Sequence, residues 1–162
     1  MTRRVDPVST GRPHIPEYGI PTHTDGLLPW SFALERLESA RNYWVATTRP
    51  DGRPHAVPVW GVLVEGVVYF GGGPQTVWQR NLARDPRIVV HLESGDEVVI
   101  LEGRAERHTE DNTDAALLAR IDDVYEAKYD MRHGTPVWAL IPRVGFGWSR
   151  FPDDTTRWAF DG

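Results

Sequence analysis

Val67 to Pro86 reads VVYFGGGPQTVWQRNLARDP, and this stretch decides how the rest of the chain is arranged. Val67 to Phe70 is β-branched and aromatic, as suits a short buried strand, and three consecutive glycines then break it. Pro74, a residue favoured at a first helical position, predicts a helix running to about Arg84, with Asp85-Pro86 as its stop. A strand that breaks at glycines and enters a helix gathers unpaired backbone N–H groups in one place, which suits a phosphate. Thr76 and Arg80 lie four residues apart on one helix face, so both could grip the same anion. An ordinary surface helix with a solvated Arg80 fits the same spacing.

Upstream, Tyr43 to Thr48 and Pro54 to Val64 flank the turn sequence Arg49-Pro50-Asp51-Gly52-Arg53, which predicts a hairpin. Glu65-Gly66 then turns the chain into Val67 to Phe70, making a three-stranded meander. Downstream, strands are expected over Arg87 to Glu93 and Glu97 to His108, joined at Ser94-Gly95-Asp96. Leu117, Ile121, Val124, Tyr125 and Lys128 recur at helical spacing and predict a helix within Asp111 to Met131. Strands Val137 to Ile141 and Val144 to Ser149 and a tail through Phe160 complete the domain, residues 30–162. Before it, prolines at 7, 13, 16, 21 and 29 predict an extended arm over residues 1–29, either free or wrapped on a partner subunit. A helix capped by Ser31 runs from the arm to about Arg41. The sum is a mainly β, α+β domain: a six- to seven-stranded antiparallel barrel, closed or partly closed, with about three helices.

Composition narrows the chemistry. The 162 residues, 40% hydrophobic, suit one core, and a formal net charge of −5 argues against nucleic-acid binding. The absence of cysteine removes disulfides, thiolate metal sites and thiol nucleophiles. No window approaches a membrane span or an export signal, so a cytoplasmic location is expected. GGGPQT lacks the Lys-Ser/Thr ending of a P-loop and the spaced glycines of a dinucleotide fold. The six histidines are scattered without ligand spacing, so no metal site is expected. Seven tryptophans are many for this length; Trp60, Trp78, Trp148 and Trp158 offer flat rings for a flat ligand or for core packing.

The blocks YWVATTRPDGRPHAVPVWG (43–61), VVYFGGGPQTVWQRNLARDPRIVVHL (67–92) and VVILEGRAE (98–106) resemble the pyridoxamine-phosphate-oxidase-like flavin-binding split barrels, including their flavin- and deazaflavin-dependent reductase branch. The resemblance runs from about Leu34 to Phe160. It implies a split-barrel homodimer that binds FMN, or alternatively the deazaflavin coenzyme F420, in sites built from both subunits. In that picture Val57, Pro58, Val59 and Trp60 lie along the cofactor ring, Gly71 and Gly72 let the backbone approach it, and Thr76, Arg80 and Asn81 hold the phosphate. Trp78 stands where the family commonly has a basic residue. Trp148 and Arg157 resemble a tryptophan and an arginine at the site of true pyridoxamine phosphate oxidases, but Ala159 replaces the histidine that follows there. That departure speaks against pyridoxal phosphate synthesis. The implied activity is hydride transfer between the cofactor and a small unsaturated substrate, with no side chain assigned as catalytic. A second reading is a binding protein for flavin or haem, with His55 or His91 a weak axial candidate for haem, and a third is a structural dimer with an empty groove.

Overall fold

The computed structural model describes residues 5–162; the first four residues of the expected arm lie outside the described residues. In chain order the elements are β1 (Ser9–Gly11), α1 (Trp30–Ser39), β2 (Tyr43–Thr48), β3 (Pro54–Val59), β4 (Gly61–Val64), β5 (Val67–Phe70) and α2 (Val77–Arg84). They continue with β6 (Arg87–His91), β7 (Val98–His108), α3 (Ala115–Tyr129), β8 (Val137–Trp148) and β9 (Thr156–Ala159). All strand pairs are antiparallel, in the order β1-β9-β8-β7-β6-β2-β3, with β5 joining β4 to β8. Pairing runs from β8 through β5 to β4, and from β3 through β2, β6 and β7 back to β8. The circuit is completed between β3 and β4 only by the chain at Trp60, so the sheet is split there and is not hydrogen-bonded into a closed barrel.

The described residues form nine strands rather than the expected six or seven. Two come from outside the counted runs: Ser9–Gly11 of the arm pairs with β9, and the tail Thr156–Ala159 pairs with β8. The run Pro54 to Val64 divides at Trp60, whereas the two strands expected at the end of the chain are one. Pro142 does not interrupt β8 because a bulge opposite Glu102 and Gly103 absorbs it, Gly103 pairing with Pro142 and Glu102 with Val144. Gly103 is required there: a Cβ on it would lie 2.1 Å from the Ile141 carbonyl oxygen.

Helix starts also differ from the sequence reading. Pro29, not Ser31, occupies the N-cap of α1. Pro74 lies in the turn before α2, and Thr76 is the N-cap. In α3 the Asp114 carboxylate accepts from the Ala116 N–H at 3.3 Å, starting the helix later than expected. The arm packs on its own chain, since the Arg12 guanidinium donates to the carbonyls of His23, Asp25, Asp153 and Thr155 at 2.5 to 3.0 Å.

The core fills the space enclosed by the split sheet. Tyr43, Val45, Phe70, Leu101, Ile121 and Leu140 are buried within it, and Trp158 is 0% exposed, edge-on to Trp30 at 5.3 Å. Trp30, Trp78, Trp138 and Trp158 are thus core residues, whereas Trp60 at the split is 38% exposed. α3 packs on β4, and α2 lies against β2 and β3. Among the described residues no helix is long and apolar enough to cross a membrane.

Candidate functional site

The break at Trp60 leaves backbone groups that no strand ladder can pair, and the C-terminal half of α3 supplies their partners. The Tyr125 hydroxyl donates to the Trp60 carbonyl at 3.1 Å. The Gly61 N–H donates to the Tyr129 hydroxyl at 3.0 Å, and the Gly61 carbonyl accepts from Lys128 Nζ at 2.8 Å. Lys128 also donates to the Tyr43 hydroxyl at 2.9 Å. Burial, reinforced by the nearby Arg41 charge, lowers the Lys128 pKa to about 8. Burial raises the Tyr43 and Tyr125 pKa values, which keeps both phenols neutral donors.

With the split held open, a cavity of about 560 Å³ forms between β3, the glycine corner, α2 and α3. Val57, Pro58, Val59 and Trp60 make one wall. Gly71, Gly72, Thr76 and Trp78 make the second. Tyr125, Met131 and His133 make the third, and His55 lies at the edge of β3. Eight of the twelve residues expected at the cofactor therefore meet in one place. The volume lies within the range of small-molecule and cofactor pockets, and the walls are predominantly apolar, as a flat ring requires.

The glycine corner is braced by a residue the sequence reading passed over. Gln79 Nε2 donates to the carbonyls of Gly72 and Gly73 at 2.8 and 3.2 Å, while its Oε1 accepts from Trp138 Nε1 at 3.0 Å. A Cβ on Gly72 would meet the Trp78 ring at 3.4 Å, and one on Gly71 would meet the His133 ring at 2.2 Å. At the start of α2 the Thr76 side chain makes no capping hydrogen bond, and its Oγ1 is buried with no partner among the described residues. An unpaired buried hydroxyl beside the open N–H groups of a helix's first turn is a place built for an acceptor.

Arg80 stands one turn further on and lines a neighbouring cavity of about 500 Å³ with Arg49, Arg53 and Arg84. Val77 borders both cavities. Asp51 is bound to Arg53 at 2.7 Å, so the group remains cationic. Asn81 lines the same cavity but is 2% exposed, and its Nδ2 donates to Thr47 Oγ1 at 3.0 Å. Trp148 packs on Phe151 with ring centroids 5.4 Å apart, and Arg157 lies opposite Phe146 on β8; neither lines these two cavities. Of the two histidines named as axial candidates, His55 lines the cavity, whereas His91 lies parallel to Trp44 at 6.3 Å. His133 and Met131 sit in a loop with no periodic pattern to mark them, and Tyr125 carried a signal only as part of the inward stripe of α3.

Known proteins share this architecture. The conserved hypothetical protein Rv2991 of Mycobacterium tuberculosis is 24% identical with a TM-score of 0.64, the match covering 79% of this chain and 89% of that one. A heme binding protein from Mycobacterium smegmatis is 26% identical with a TM-score of 0.61, over 80% of this chain and 58% of its own. An F420 reductase is 21% identical with a TM-score of 0.51, over 68% and 93%. Among curated proteins, none matches the chain. The family model described as pyridoxamine 5'-phosphate oxidase matches residues 32–149, the span that contains β2 to β8, the glycine corner and α3. By that match, the chain belongs to the pyridoxamine 5'-phosphate oxidase-like family.

Proposed function

We propose that this protein is an oxidoreductase working with a flavin-type cofactor, FMN or the deazaflavin coenzyme F420, and acting on a small unsaturated substrate. The observation that carries the reading is the buried, unpartnered Thr76 Oγ1 at the start of α2, next to an apolar slot of about 560 Å³ and within one turn of Arg80. The residues fit the group: Val57 to Trp60 offer a wall for the ring, and Thr76 with Arg80 offers a hydroxyl donor and a charge for the phosphate. Asn81 lines the Arg80 cavity and has a second amide N–H beyond the one given to Thr47. When bound, the flavin-type ring supplies the hydride chemistry. The protein binds and orients it, and the apolar walls keep water from its face.

A homodimer belongs to the same proposal. A groove of about 970 Å³ runs along β2, β6, β7 and β8 and is lined by Val89, Ile141 and Val144 together with Arg87, Arg104 and Arg143. In this reading Trp148 and Arg157 belong to a site completed by a second copy.

The second reading is haem binding, favoured by the imidazoles of His55 and His133 at the cavity. Absorption spectra of the purified protein separate the readings. Flavin bands support FMN, a single band at shorter wavelength supports the deazaflavin, and a Soret band supports haem. A colourless protein that takes up none of the three when they are added overturns both.

A further inference from the structure

His133 is held more firmly than a loop residue needs to be. Its own N–H and that of Gly134 converge on Asp122 Oδ1, at 3.1 and 2.8 Å, which ties the loop to α3. Gly134 has φ +76°, a conformation that a side chain would strain. The imidazole packs on the Tyr125 ring with centroids 4.9 Å apart and covers Gly71, where a Cβ would lie 2.5 Å from Nε2.

The tautomer follows from one contact. Nδ1 lies 3.0 Å from the Gly134 carbonyl oxygen, which only accepts, so Nδ1 carries the proton of the neutral ring. Nε2 is then left with its lone pair, and it has no hydrogen-bond partner among the described residues. The other polar side chains at the cavity are committed elsewhere or belong to the start of α2. Tyr125 donates to the Trp60 carbonyl, His55 Nδ1 faces Arg49 at 3.1 Å, and Thr76 stands at the start of α2.

We propose that His133 is a ligand-binding residue whose Nε2 accepts a hydrogen bond from an N–H at the edge of a fused heteroaromatic ring held in the cavity. The inference rests on the flavin-type reading above and deepens it by naming the chemistry selected at the ring edge. A flat ring with an N–H donor there is preferred over one without.

The test is FMN titration, by fluorescence quenching, of the full-length protein and of two variants. His133→Phe keeps a flat ring against Tyr125 and Gly71 but removes the acceptor; His133→Gln restores an acceptor oxygen. Phe is expected to weaken FMN binding about tenfold, the size of one ordinary hydrogen bond, while Gln keeps most of the affinity. Unchanged melting temperatures without FMN separate this from a folding defect. Wild-type affinity in His133→Phe, or a loss in His133→Gln as large as that in His133→Phe, overturns the inference and leaves the flavin reading standing. A wild-type protein that binds neither FMN nor the deazaflavin overturns both.

Discussion

The indole of Trp60 lies flat on the phenol ring of Tyr129, centroids 4.4 Å apart and planes 3° from parallel. Trp60 is the single residue between β3 and β4, and Tyr129 is the last residue of α3. The stack therefore joins the split in the sheet to the helix that spans it. Arg41 stands 5.2 Å from the indole and 5.6 Å from the phenol ring, adding a cation to the same cluster. One wall of the cavity is thus fixed from behind before any ligand arrives.

Tyr129→Phe preserves the stacked ring but deletes the hydroxyl that accepts from Gly61 N. The buried N–H is left unpaired, so the fold should lose about 1 to 3 kcal/mol. Urea denaturation of the two proteins measures it. Equal midpoints would mean that Gly61 finds another acceptor and that the stack alone holds the split.

Lys128 makes part of the stability depend on pH. Its folded pKa of about 8 lies below the ordinary 10.5, so between these values the unfolded chain holds a proton the folded chain has released. Stability from this group therefore rises with pH across that window. Tyr43 and Tyr125, raised above 10.0, work in the opposite direction beyond about pH 10. From about pH 7.5 to about pH 9.5, wild type should gain stability relative to Lys128→Met; parallel urea midpoints would contradict this. Lys128 is the only lysine in the sequence, so selective carbon labelling gives one ε-carbon resonance from which the pKa is read directly.

Thr76→Val replaces a buried hydroxyl without a partner by a methyl group of similar shape. Stability of the unliganded protein should hold or rise slightly, while affinity for FMN or the deazaflavin falls by about 1 kcal/mol. The opposite pattern, lost stability with unchanged affinity, would make Thr76 a structural cap only. Arg80→Ala should cost about 1.5 to 3 kcal/mol of the same affinity, as loss of a charged hydrogen bond does. Calorimetric titration reads both.

Gly103→Ala places a methyl group 2.1 Å from the Ile141 carbonyl oxygen, and backbone on both sides cannot yield as a side chain would. The bulge that admits Pro142 should be lost, at a cost of roughly 3 kcal/mol. Thermal melting measures this. A variant that melts with wild type would show that β8 accommodates Pro142 without the bulge.

Much of the fold was legible because its signals are local. The turn at Arg49 to Arg53, the breaker Asp85-Pro86 and the stripe Leu117, Ile121 and Tyr125 each depend on neighbours in sequence, and each marks an observed element. The errors fall where distant partners decide. Pro54 to Val64 has no local breaker at Trp60; it divides because α3 claims the Trp60 and Gly61 backbone groups. Pro142 is a local breaker, yet β8 passes through it because Gly103, on another strand, leaves room for a bulge.

The candidate site divides in the same way. Residue order placed the glycine corner and Thr76 together, because a strand-to-helix corner is local, whereas Val57 to Trp60 joined them through the family resemblance. Only the tertiary structure assigned Asn81 to Thr47, set Arg80 among Arg49, Arg53 and Arg84, and carried His133 across to Gly71. The direction of a side chain is fixed by what packs against its element, and a sequence lists neighbours along the chain rather than across space. Hydrophobic period and turn chemistry therefore marked most elements, though not the division at Trp60 or the continuity of β8 through Pro142. The open Nε2 of His133 at the cavity and the unpaired hydroxyl of Thr76 exist only once those elements have closed on one another.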